Sequence, residues 1–111
     1  MFLAALVVPA LCVRLAVPAL AEPGRPFKIA GRFGFDVHKP ERVCAKVAGA
    51  LLTRLSKDYR CAPPENGGQT GSGVTSVGTC TPKARRDSEY MLFATATDCN
   101  HEREAQLANA G

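Results

Sequence analysis

No two cysteines of this chain stand close together, and that absence removes two common chemistries. Cys44, Cys61, Cys80 and Cys99 are separated by 16, 18 and 18 residues. A redox CxxC is therefore missing. A structural zinc site is disfavoured as well, because its ligands usually come in pairs about two to four residues apart. Histidine is scarce, at two residues, His38 and His101. His101-Glu102 begins like HExxH, but Ala105 stands where the second histidine belongs. The glycine-rich stretch around residues 65–73 lacks a following Gly-Lys-Ser/Thr, and Ser76 occupies the place of the last glycine of GxGxxG. A GxSxG hydrolase elbow and an N-glycosylation sequon are absent too. No segment repeats. The chain thus has no motif for phosphate-loop, metal or nucleophilic chemistry, and no cofactor is expected.

What the chain does have is an apolar beginning and an even set of later cysteines. Residues 2–21 read FLAALVVPALCVRLAVPALA and end in Ala19-Leu20-Ala21, small residues at the −3 and −1 positions of a signal-peptidase site. The expectation is a signal peptide over 1–21, with Glu22 the first residue of a single small domain over 22–111. The alternative is an uncleaved membrane anchor, opposed by Arg14 near its centre and by Pro9 and Pro18. A lipoprotein is disfavoured because Leu11 precedes Cys12. A secreted or periplasmic location follows, and four cysteines in a short exported chain read as a disulfide framework. Such a domain has a thin core, and disulfides supply the stability it lacks.

Charge is uneven. Residues 22–60 carry nine basic and four acidic side chains, whereas residues 61–111 carry four basic and six acidic. The basic half suits an anionic surface or an envelope protein as partner. Nucleic acid is excluded by the modest charge density, the absence of a recognised motif and the exported location.

Period-two alternation over 27–35 places Phe27, Ile29, Phe33 and Phe35 on one face of a strand. Gly31 and Gly34 there mark a bulge or the close approach of another backbone. Residues 40–59 predict an amphipathic helix opened by Pro40. Val43, Val47, Leu51, Leu55 and Tyr59 form its stripe, Cys44 aims inward, and Arg42, Lys46, Arg54 and Lys57 lie outside. Pro63-Pro64 confine the next strand to a short edge piece. The glycine-rich stretch predicts a mobile hairpin loop over 65–73. GVTSVGTCT is β-prone, and YMLFATAT, 90–97, reads as a central strand because it is nearly continuously apolar. Asp98 or Asn100 then caps a short C-terminal helix. The expected fold is α+β, a small antiparallel sheet with one amphipathic helix packed on a face and a short C-terminal helix, stapled by two disulfides.

Four cysteines allow three pairings. A hairpin centred near 70–71 sets Cys61 opposite Cys80. A second turn near 85–86 sets Cys80 opposite residue 91, away from Cys99. The expected bridges are Cys61–Cys80 and Cys44–Cys99, the rival being Cys44–Cys61 with Cys80–Cys99. For function, the sequence favours an accessory or binding module at the cell envelope without catalysis of its own. The alternatives are a small hydrolase using His101 with Asp98 or Glu102, and a module that binds anionic membrane surfaces through the basic helix face.

Overall fold

The computed structural model describes residues 27–110. The expected leader, its cleavage site and the first residues after it lie outside the described residues. Five strands form one antiparallel sheet: β1 (Phe33–Asp36), β2 (Ala45–Lys46), β3 (Tyr59–Ala62), β4 (Gly78–Pro82) and β5 (Tyr90–Phe93), in the order β2-β1-β5-β4-β3. Helix α1 (Gly49–Asp58) carries the chain from β2 at one edge to β3 at the other, and α2 (Ala96–Ala110) follows β5. The α+β class is as the sequence predicts, and a helix stands near each of the two expected places.

Each helix covers a different face. Leu55, Val47, Ile29 and Leu92 are buried together on the α1 side, with Leu51 and Leu52 packed against them. Phe35, Phe93 and Cys99 are buried on the α2 side, where the two phenylalanine rings lie 6.3 Å apart and nearly parallel. The central strand β5 serves both cores. Leu92 enters one and Phe93 the other, and both are fully buried. A strand buried on both faces has no polar period, which explains the continuous apolar run.

Three expectations are corrected. First, the helix over 40–59 begins only at Gly49. Residues 40–42 form a turn, in which the Arg42 N–H donates to the Lys39 carbonyl at 3.0 Å, and β2 pairs with β1. Val47 is buried because its backbone docks beside Gly31 and Arg32, not because it sits on a helix stripe. Val43 is 73% exposed. The period of four ran across a strand, a helix and a second strand. Ala48 is extended and Gly49 takes φ +54°, a left-handed turn that lets the chain swing from the sheet edge onto its face.

Second, the strand expected over 27–35 is β1 alone. Gly31 has φ +82° in a turn closed by Arg32 N–H to the Ile29 carbonyl, 3.1 Å. That turn changes the face: Phe27 and Ile29 join the α1 core, Phe33 and Phe35 the α2 core. At Gly34 the close approach is real, since an added Cβ would lie 2.7 Å from the Leu92 side chain.

Third, β5 ends at Phe93 and α2 begins at Ala96, capped by Thr95, whose hydroxyl accepts from the Asp98 N–H at 3.1 Å. Neither Asp98 nor Asn100 is the cap.

Both bridges are the expected ones: Cys61–Cys80 and Cys44–Cys99. Cys61 stands directly opposite Cys80 in the β3–β4 register. The second hairpin is one residue off the expectation, with Cys80 opposite Tyr90. Cys44 does not project from a helix. It precedes β2, and its bridge fastens the β1–β2 end of the sheet to the first turn of α2. Two disulfides suit an extracellular or periplasmic setting. No helix among the described residues is long and apolar enough to cross a membrane.

Candidate functional site

Among the described residues no hydrogen bond joins His101 to Asp98 or Glu102. His38 is exposed in the turn after β1, and His101 is exposed on α2. Glu102, the next residue, is buried instead. Among the described residues no three His, Cys, Asp or Glu groups are placed to hold a metal ion. Ser76 is buried as a structural plug, its Oγ 3.0 Å from both the Gly78 and Leu92 carbonyls, either of which can take its one proton.

Glu102 has a different task. Its Oε2 accepts from the Gln106 amide at 2.9 Å, while Oε1 is buried without a hydrogen-bond partner. The polar groups of Ser72 and Thr70 lie near enough to favour its charged form, although the Thr70 hydroxyl gives its proton to the Val74 carbonyl at 2.6 Å. Burial by itself pushes its pKa up. The Gln106, Ser72 and Thr70 groups outweigh that and hold it below the ordinary value. The end of the glycine-rich loop is held on the α2 side by Val74, which packs against the core of Phe35, Phe93 and Cys99. Gly68 is buried in the short 3₁₀ turn Asn66–Gly68, and its carbonyl accepts from the Ser76 N–H at 2.7 Å.

A depressed carboxyl pKa contributes stability that is present above its unfolded value, near 4.5, and is lost as pH falls through the lower folded value. Amide protection over 70–74 should fall selectively as the pH drops below the ordinary carboxyl value in the native protein. Glu102→Ala should reproduce that loss at neutral pH and cost about 1–3 kcal/mol. Protection in 70–74 that is equal at pH 6 and pH 3 would refute a role for the Glu102 charge in holding this segment.

A polar concavity of about 440 Å³ lies at the other end of the sheet; a second, of about 410 Å³, is lined by Ala62, Pro63, Glu65, Thr79, Thr81 and Glu89 and carries carboxylates but no cation. Three separate segments meet in the first. Asp36 ends β1. Tyr59 begins β3 and Tyr90 begins β5, while Ser88 stands two residues before Tyr90. The floor is a hydrogen-bonded chain. Ser88 Oγ lies 3.0 Å from Asp36 Oδ2 and 2.6 Å from the Tyr59 hydroxyl. The carboxylate is acceptor only, so the single serine proton goes to Asp36 and the tyrosine proton goes to Ser88. Asp36 Oδ1 also accepts from the His38 and Glu89 N–H groups, at 2.9 and 3.3 Å.

The rim is cationic. Lys39 and Arg42 come from the turn after β1, Arg54 from α1 and Arg86 from the β4–β5 loop. Arg54 donates to the Tyr90 hydroxyl at 2.9 Å, with its guanidinium carbon 5.9 Å from the centre of that ring. Lys39 Nζ reaches only the Asp87 carbonyl, at 3.5 Å. None of the four is in an ion pair with another described residue. Like charges repel unless something offsets them, so an arrangement of this kind is suited to an anion.

Sequence reasoning marked the basic character of residues 22–60 and the outward Arg42 and Arg54. It missed the pocket. Asp36, Ser88 and Tyr59 carry no motif, and Arg86 belongs to the acidic half. No family model, curated protein or solved structure matches this chain.

Proposed function

We propose that the chain is an exported binding module, secreted or periplasmic, that acts at the cell envelope without catalysis of its own and captures an anionic group in the pocket at Asp36, Ser88 and Tyr59. The observation that carries this reading is the convergence of Lys39, Arg42, Arg54 and Arg86 on one concavity with no carboxylate paired to any of them among the described residues. Ser88 is 8% exposed and bonded on both sides, which suits a structural floor better than a nucleophile. The two disulfides favour the oxidising location.

Calorimetric titration with inorganic phosphate tests it. Binding should be saturable at low salt and weaken as sodium chloride rises to about 0.15 M, where screening acts over roughly 8 Å. Arg86→Gln and Arg42→Gln should each weaken binding about 3- to 10-fold, the usual scale for one charged hydrogen bond near a surface. Arg60→Gln removes the same charge from edge strand β3, outside the pocket, and should leave binding unchanged. Equal loss in all three variants would mean that net charge, not the pocket, attracts anions. Binding confined to anionic vesicles would favour the membrane-surface reading.

A further inference from the structure

We infer that the anion this pocket takes is a phosphomonoester carried on a hydroxylated sugar ring, an inference that rests on the anion-capture reading above. Lys39, Arg42, Arg54 and Arg86 face Asp36 and Asp87 across the concavity, leaving a net charge of +2. A phosphomonoester carries nearly −2 at neutral pH and offers three strong acceptor oxygens. Arginine forks match such oxygens in pairs.

A bare phosphate would leave most of the space empty. About 440 Å³ falls within the roughly 300–1,000 Å³ of small-molecule sites and exceeds what a single ion needs. The lining is polar rather than apolar, so the rest of the ligand should be polar as well.

The floor says which polar groups. With the serine proton on Asp36 and the tyrosine proton on Ser88, the Tyr59 oxygen keeps an unused acceptor site, and Asp36 Oδ2 accepts only one bond of the two it can take. The floor therefore asks for donors. Four cations around it disfavour an ammonium donor, because bringing a further positive charge among them costs energy. Neutral hydroxyls meet the requirement. A sugar ring supplies several of them a few ångströms from an ester phosphate, so the rim takes the anion while the floor takes the ring hydroxyls.

Titration of the wild-type protein with glucose 6-phosphate, propyl phosphate and glucose decides it. Glucose 6-phosphate should bind about 10-fold more tightly than propyl phosphate, the gain expected for one or two satisfied hydroxyl bonds. Glucose alone should not saturate. Tyr59→Phe removes the floor acceptor and should shrink the preference to about 2-fold or less. Equal affinity for the two phosphates in the wild type overturns the sugar inference while leaving anion capture standing. No binding of either phosphate overturns both. A preference unchanged in Tyr59→Phe also overturns the inference. If that variant does not fold, amide shifts in the wild type decide: glucose 6-phosphate must move the Tyr59 and Ser88 signals and propyl phosphate must not, and identical patterns refute it. Dextran phosphate in place of the free sugar identifies the source. Similar affinity per phosphate points to a free sugar phosphate, and a gain above about 10-fold points to a phosphorylated glycan engaged at several points.

Discussion

Reduction of both disulfides should unfold this domain at 37 °C. Cys44–Cys99 closes a separation of 55 residues and Cys61–Cys80 one of 19, the second nested inside the first. Loop-closure entropy assigns about 4 kcal/mol to the outer bridge and about 3 kcal/mol to the inner one, with the outer value lower when the inner loop is already closed. A domain of this size has roughly 4–13 kcal/mol of stability in all. Losing both bridges therefore removes most or all of it. Thermal melts with and without a phosphine reductant measure the effect, and the paired variants Cys44→Ala/Cys99→Ala and Cys61→Ala/Cys80→Ala divide it. The outer pair should be the more damaging. It is the covalent tie between α2 and the β1–β2 end of the sheet, and Cys99 is fully buried among Phe35 and Phe93. A reduced protein that still melts cooperatively within about 5 °C of the oxidised one would show that the core carries the fold by itself.

Asp36→Ala should destabilise the fold by about 3–5 kcal/mol, lowering the melting temperature by roughly 15–25 °C. Asp36 is 6% exposed and accepts from the His38 and Glu89 N–H groups and the Ser88 hydroxyl. Removing it leaves the buried Ser88 hydroxyl and two part-buried N–H groups without their acceptor, and hydrogen bonds to a charged group are worth about 1.5–3 kcal/mol each. Asp36→Asn keeps one acceptor oxygen in place and should cost less than half as much. The same loss should empty the pocket of its function, because Ser88 and Tyr59 are oriented through Asp36. An Asp36→Ala variant within about 0.5 kcal/mol of wild type in denaturant melts would remove Asp36 from the floor it is assigned to.

Particular residues show where sequence reasoning reached and where it stopped. The Cys61–Cys80 pairing was legible because a hairpin is local: a centre near 70–71 and a period of two set the register without any knowledge of the rest of the sheet. The centrality of Tyr90–Phe93 was legible because a strand covered on both faces has no polar positions to alternate with. The helix over 40–59 was overextended because Val43 and Val47 fit a period of four by coincidence. Val47 is buried by pairing with Arg32, fifteen positions earlier, and only Gly49 releases the chain into α1. The face change at Gly31 was equally hidden, since apolar alternation looks the same on either side of a sheet until something covers one side.

By itself the sequence determined the α+β class, the disulfide framework, the antiparallel hairpins and the basic character of the first half. These are local quantities, set by periodicity, spacing and composition along the chain. The tertiary structure alone decided which face each phenylalanine covers, that Val74 at the end of the glycine-rich loop packs on the α2 core, and that Asp36, Tyr59 and Ser88 form one floor beneath four cations. The physical reason is the order of the sheet. Pairing β1 with β5 joins residues 33–36 to residues 90–93, and bringing those strands together is what assembles the pocket. No local pattern encodes a contact across more than fifty residues, because it depends on the free energy of the whole packed sheet rather than on the preferences of either strand.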